Sequence, residues 1–332
     1  MNKISVYVDW RGTRDMERAI AEVKAADESG VYSIGGGGEN WGRDAFTWLS
    51  LVAEHTKNVQ ISSVVNTWSR SPAALAQHFA TLDELSGGRM VIGLGASGAN
   101  VIEDFHGIPF EKPLRRVREY VEIINMLIAQ EPLHYDGEIY HLHRGFRLSF
   151  ETVRKHIPIH IAALTPVSVR QTARIADGWL PTITPFDKLG EVIKDFRDTA
   201  AKAGRNPEAL TVAAPNRIHI TKDIARGRRA VASTFAYHMA RMGRFYHEHV
   251  TRLGYGEYSD ATRTAWEQGG GQAAADVVPE HVIDQFGLVT DSIEAAREQI
   301  ARQEAVGINL HAVTVDAETP QERAKVYEQL SR

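Results

Sequence analysis

Residues 93 to 98 read Gly-Leu-Gly-Ala-Ser-Gly, which spaces Gly93, Gly95 and Gly98 as GxGxxG. Bare backbone N–H groups at Gly95, Ala96, Ser97 and Gly98 could face a phosphate or a flat ring. The same spacing suits a tight turn between a strand and a helix. A dinucleotide fold needs the motif in the first βα turn, with another strand close behind. Here strand-like stretches precede it, and the next clear one, Pro158–Ala163, follows about sixty residues later. Ser97 is not centred between glycines as in GxSxG, so it is not a nucleophile elbow.

Other residue types invite acid–base or metal chemistry. Glu39 in Glu39-Asn-Trp41 is the first proton-exchange candidate, desolvated beside an indole. A plain surface carboxylate is the equal alternative. Glu103, Asp104 and His106 follow the glycine loop and suit either acid–base work or a solvated cap. His141-Leu-His143 puts two imidazoles on one strand face, with His134 nearby. There is no HExxH and no acidic third ligand at regular spacing, so no metal is expected. His247 and His249 are two apart on a helix and diverge by about 200°. Arg226, Arg228, Arg229, Arg241 and Arg244 form a basic cluster, read either as a solvated helix face or as an anion contact.

These residues need a scaffold. Ile4–Asp9, Val31–Ile34, Val59–Val65, Arg89–Gly95, Pro158–Ala163, Asp177–Pro181, Leu210–Ile220 and Ile308–Val315 read as strands, from their β-branched or continuous apolar runs. Helical patterns alternate with them. Ser71-Pro72 opens one: a hydroxyl cap, then a proline where the missing N–H does no harm. Leu75, Phe79 and Leu82 continue it, and Gly87-Gly88 stop it. Leu114, Val117, Val121, Ile124 and Ile128 line one face of another. Gly35–Gly38 is an unusual strand interior, because glycine loses the most entropy on ordering.

Eight strands alternating with helices predict an α/β fold, a (β/α)8 TIM barrel. No linker divides the chain, so residues 1–332 are expected to form one barrel domain with insertions at about 98–112, 132–150 and 222–286. Barrel chemistry sits at the C-terminal ends of the strands. Those ends are rich in glycine, alanine and aromatics and poor in paired carboxylates. Such a rim suits a flat cofactor better than hydrolytic machinery.

Composition excludes several classes. The 332 residues are 43% hydrophobic and 24% charged, with a net charge of −4. No global field attracts nucleic acid. The absence of cysteine removes disulfides, thiolate metal sites and cysteine nucleophiles. No apolar run reaches the roughly 18 residues of a membrane span, and the N-terminus carries no signal-peptide pattern. A cytoplasmic protein is expected, with a small-molecule substrate and neither membrane nor nucleic-acid partners.

The runs Ser71-Pro-Ala-Ala-Leu-Ala, Thr81-Leu-Asp-Glu-Leu-Ser-Gly-Gly-Arg89 and Gly93-Leu-Gly-Ala-Ser-Gly98 resemble the bacterial luciferase-like superfamily. The likeness is to its coenzyme F420-dependent branch, which includes methylenetetrahydromethanopterin reductase. Arg118-Glu-Tyr-Val-Glu122 and Ala176-Asp-Gly-Trp-Leu-Pro181 are further matching motifs. The likeness covers most of residues 1 to 210.

The resemblance implies a luciferase-like barrel with F420 across its C-terminal mouth and hydride transfer at the deazaflavin C5. It implies a homodimer and a cis peptide between Ser63 and Val64 beneath the ring. Asn66, Gly95, Ala96, Ser97 and Gly98 would bind the cofactor, and Ala162, Ala163, Leu164 and Thr165 its phosphodiester. Asp9, Trp10, Trp41 and Trp68 would wall the substrate pocket, with Glu39 as proton carrier. The basic cluster would receive the anionic tail. Asn40 and Gly98 replace the base and acid used by sugar-phosphate-oxidising relatives, which argues against that substrate class. FMN-dependent monooxygenase and non-catalytic flavin binding remain the alternative readings.

Overall fold

The computed structural model describes residues 2–8, 15–38 and 42–332. Glu39, Trp41, Asp9 and Trp10 lie outside the described residues.

Seven parallel strands follow one another around the sheet. They are β1 (Ile4–Tyr7), β2 (Ser33–Gly38), β3 (Gln60–Asn66), β4 (Met90–Gly95), β7 (Ile159–Ala162), β8 (Gly178–Leu180) and β9 (Thr211–Val212). Between β4 and β7 the chain forms an antiparallel hairpin, β5 (Leu133–Asp136) with β6 (His141–Phe146). Strand β12 (His311–Val315) pairs with β1. An Ala213–Leu310 bridge joins β9 to the start of β12 and closes the barrel. The Asn309 carboxamide accepts from the Val212 amide at 2.8 Å and reinforces the closure.

The stretch Leu210–Ile220 is not one strand. It breaks into β9 and β10 (Ile218–Ile220), and Pro215 stands between them. Proline has no N–H for a central ladder. Strand β11 (Leu288–Thr290), not expected from the sequence, pairs outside β10.

The glycine run in β2 has a structural reason. Gly35 pairs with Ser62, but Gly38 pairs with Val64. Strand β2 therefore advances three residues while β3 advances two, which is a one-residue bulge. A β-carbon on Gly36 would lie 2.3 Å from Nε1 of Trp48, a fully buried side chain. The expected cis peptide is corrected: there is none among the described residues. Strand β3 keeps its ladder through that point, with Ser63 opposite Ile92 and Val64 opposite Gly93. The irregularity at this part of the rim lies in β2, where glycines accommodate it.

Proline-initiated helices pack outside the sheet. The helix Pro72–Leu85 is capped by Ser71, whose hydroxyl accepts from the Ala74 amide. Thr165 and Ser168 form a reciprocal capping box before Pro166–Ile175. The barrel core includes Trp48, Phe79, Ile92 and Trp179. Fully burying such side chains is worth about 1.5–3 kcal/mol each. A second cluster holds the helices Ile224–Arg241, Arg244–Arg252 and Glu280–Phe286 together, through Phe235, Met239, Val250 and Phe286. No helix among the described residues is long and apolar enough to cross a membrane.

Candidate active site

A cavity of about 490 Å³ opens at the C-terminal ends of β3, β4 and β7. Its floor is built from Val64, Asn66, Gly95 and Ala162, and its side from Ala163, Leu164 and Thr165. Val64 is 39% exposed although it sits in mid-strand, because its side chain faces this space. Its neighbour Ser63 points to the other side of the sheet, is buried, and is not part of the lining. Strand periodicity forbids both from facing the cavity.

The three motif glycines serve three purposes. At Gly93 a β-carbon would lie 2.4 Å from the Ser63 carbonyl oxygen, so this glycine permits close packing of β3 on β4. At Gly98 it would lie 2.9 Å from the Met242 carbonyl oxygen, so this one seats the helical segment against the loop. Only Gly95 borders the cavity. Ala96 and Ser97 line it as well. Ser97 has φ of 60°, and its buried hydroxyl has no hydrogen-bond partner among the described residues. Buried polar groups are nearly always paired, so an orphaned one beside a cavity suits a ligand contact.

Asn66 does two jobs. It borders the cavity, and its side-chain oxygen accepts from the Trp68 and Ser69 amides at 2.9 and 2.8 Å. Trp68 stands one layer behind the wall and is absent from the lining. Its indole N–H donates to the Ala96 carbonyl at 2.8 Å. One ring neighbour is Phe110, stacked at 5.0 Å, and the Arg116 guanidinium lies 4.1 Å from the ring centre. Of this stacked pair, Phe110 is the ring that reaches the cavity. On the opposite side the Trp179 indole donates to the Ala163 carbonyl at 2.9 Å and fixes the end of β7.

The roof comes from the helical segment after β10. His238, Met242, Phe245 and Tyr246 line it. None of them was anticipated. They come from the end of Ile224–Arg241 and the start of Arg244–Arg252, on either side of Gly243, and the apolar and aromatic residues flanking that glycine are the signal that could have found them. Nδ1 of His238 bonds the Thr234 carbonyl at 2.7 Å, and the ring lies 4.9 Å from that of Tyr246. Burial lowers the His238 pKa and pushes the Tyr246 phenol up to about 12, with Tyr237 adding to the latter. Both are therefore neutral at neutral pH. The roof is pinned by His249, whose Nε2 lies 3.0 Å from the Thr184 hydroxyl oxygen. Among the described residues lining the cavity there is no lysine, arginine or carboxylate.

Other candidates lie elsewhere. Glu103 accepts from the Phe110 amide at 3.2 Å and braces the loop, and neither it, Asp104 nor His106 lines the cavity. His141 and His143 are exposed on the hairpin beside Asp136. Asp136 is the acidic neighbour that sequence spacing did not reveal, because the hairpin register supplies it. In the basic cluster, Arg228 pairs with Glu280 and Asp284, and Arg229 with Asp276. Those two charges are engaged within their own segment.

Comparison with known proteins agrees with this architecture. The model of the luciferase-like monooxygenase family matches residues 7–310. A putative coenzyme F420-dependent oxidoreductase of Mycobacterium tuberculosis is 31% identical over 94% of each chain. The 5,10-methylenetetrahydromethanopterin reductase of Archaeoglobus fulgidus is 32% identical over 83% of this chain and 84% of its own. Among solved structures, the F420-dependent tetrahydromethanopterin reductase of Methanopyrus kandleri superposes with a TM-score of 0.81. It is 21% identical, over 100% of this chain and 97% of that one, a likeness of fold. The chain belongs to the luciferase-like monooxygenase family, in the branch populated by coenzyme F420-dependent oxidoreductases.

Proposed function

We propose that this protein is a coenzyme F420-dependent oxidoreductase that transfers a hydride between the deazaflavin and a small, uncharged organic substrate. The observation that carries the reading is the cavity at the ends of β3, β4 and β7, with a mainly apolar floor and with Ser97 on its lining. The relatives named above supply the cofactor class.

The residues present suit a flat tricycle. Gly95, Ala162 and Val64 offer a smooth wall, and Ser97 offers a hydroxyl to a polar ring edge. Thr165 and Ser168 stand at the N-terminus of Pro166–Ile175, where the helix dipole favours a phosphodiester. When bound, the deazaflavin supplies the carbon that accepts or gives the hydride. The chain itself positions the reactants and excludes water, through Phe110, Leu114, Met242 and Phe245. Among the described residues the lining carries no lysine or arginine, and a phosphorylated substrate would find no cation on them.

The test is turnover. Purified protein is mixed with oxidised F420 and secondary alcohols, or with reduced F420 and ketones, imines or enones. Substrate-dependent change in the deazaflavin absorbance supports the reading. No change with any of them, together with oxygen-dependent turnover on reduced FMN, would overturn it in favour of a monooxygenase. We also read all 332 residues as one barrel domain that assembles as a homodimer, which light scattering tests separately.

A further inference from the structure

We propose that His238 and Tyr246 together form the subsite that holds the reacting oxygen of a small secondary alcohol or its ketone, with Nε2 of His238 as the group that takes or returns the hydroxyl proton. The inference rests on the deazaflavin reading above. It adds a substrate class and two residues, both on the helical segment between β10 and β11.

The hydrogen bond at Nδ1 fixes the tautomer of His238. A backbone carbonyl only accepts, so Nδ1 of His238, 2.7 Å from the Thr234 oxygen, carries the proton. In the neutral ring Nε2 is then an acceptor with a free lone pair. No hydrogen bond engages Nε2 among the described residues, and the side chain lines the cavity. The ring stands against Tyr246, from the next helix, and Tyr237, beside it in sequence. Among the described residues no charged side chain bonds to it or shifts it, and Arg241, almost one turn ahead, is exposed. Burial with no ion-pair partner keeps the imidazole neutral.

The Tyr246 phenol is the complementary group. Burial keeps it protonated, so it donates. Both side chains line the cavity and their ring centres lie 4.9 Å apart, so an acceptor and a donor border the same space, which matches a group that both gives and receives. A hydroxyl does this: its hydrogen goes to Nε2 and its lone pair receives the tyrosine hydrogen. A carboxylate or phosphate has no hydrogen for Nε2 and finds no cation among the described lining residues. An isolated C=C bond offers neither partner.

The step balances. In the oxidative direction the carbinol O–H bond breaks, and its proton goes to Nε2 of His238. The carbinol C–H bond breaks, and its hydride, with two electrons, goes to the oxidised cofactor. A C=O bond forms. The alcohol is oxidised, the cofactor is reduced, and the imidazolium releases its proton to solvent. Reduction of the ketone is the reverse.

The experiment uses the 332-residue protein and the His238→Asn, His238→Ala, Tyr246→Phe and Glu39→Gln variants. Binding of F420 is followed by fluorescence, and turnover by absorbance with cyclohexanol and 2-butanol. Nitrogen-15 spectra of the histidine rings are recorded across pH without cofactor. Besides the His311 ring, whose Nδ1 bonds the Gln303 side-chain oxygen, the spectra should show a second Nδ1–H tautomer that titrates below the ordinary histidine value. That signal should vanish in His238→Asn and shift when cyclohexanol is added. His238→Asn should bind F420 within about threefold of the parent and lose roughly 100-fold or more in kcat/KM. The acid limb of the pH profile should disappear, and added imidazole should restore part of the rate to His238→Ala. Tyr246→Phe should raise KM more than it lowers kcat. Retention of rate and pH profile by His238→Asn overturns the inference. So does loss of the same limb in Glu39→Gln alone. If the parent fails to bind F420, the reading under Proposed function fails first, and the ring spectra still report on the subsite.

Discussion

Gly98 and Met242 meet so closely that a β-carbon on the glycine would stand 2.9 Å from the Met242 carbonyl oxygen. This contact joins the loop after β4 to the segment that roofs the cavity. The obstacle is backbone, so it cannot swing aside. Gly98→Ala should displace the roof and cost about 1–3 kcal/mol, as overpacking does. Urea denaturation measures the loss, and cofactor titration should weaken in parallel. A variant with unchanged stability and affinity would show that the roof is not seated through this contact.

Trp179 fixes the other side. It is 1% exposed, packs on Phe196 at 5.3 Å, and its N–H serves the Ala163 carbonyl. Trp179→Phe keeps most of the apolar surface and leaves that acceptor without its donor. Such a loss costs about 1–3 kcal/mol. The expected result is a lower unfolding midpoint with weaker F420 binding, because Ala163 and Leu164 lose their anchor. Full affinity in the destabilised variant would separate the strand end from the cofactor site.

The motif after β7 also sets a pH dependence. His156 lies 2.9 Å from the Asp177 carboxylate. The bond to Asp177 raises the His156 pKa against burial, which lowers it. Burial pushes the Asp177 carboxyl up, but bonds from His156 and the Ile159 amide outweigh it and hold the group below its ordinary value. The histidine contribution is therefore complete below pH about 6.5 and is lost as pH rises past its folded pKa. The aspartate contribution is present above pH about 3.9 and is lost as pH falls through its folded pKa. His156→Gln should lower the denaturation midpoint more near pH 5.5 than near pH 9, on the order of the window those pKa values define. An equal loss at both pH values would remove the pair from the account.

Much of the barrel is legible from the residues alone. Runs such as Val59–Val65 and Met90–Gly95 carry their own strand pattern, and hydroxyl–proline pairs mark helix starts at Ser71 and Thr165. Pairing is not local, so the bulge opposite Val64 shows in sequence only as an odd glycine run. The break at Pro215 and the three-residue β11 escape because a short extended run carries little periodicity. At the site, Val64, Asn66, Gly95 to Ser97 and Ala162 to Thr165 all border the cavity. Ser63 and Gly98 do not, since one faces the other side of β3 and the other packs under Met242. Trp68 is held one layer back by Ala96. The roof residues were missed because their position depends on how a helical segment folds back over strands far away in sequence.

The most direct measurement is a pair of titrations, F420 and FMN, on the parent and on Gly95→Val. A β-carbon at Gly95 meets Ala162 and Val64 at 3.5 Å, ordinary contact, so the variant should fold while its branched side chain fills the slot. The account predicts one F420 per chain, bound at least tenfold more tightly than FMN, a difference of about 1.4 kcal/mol, with binding lost in a folded Gly95→Val. Equal or tighter binding of FMN, or unchanged F420 affinity in the variant, would contradict it.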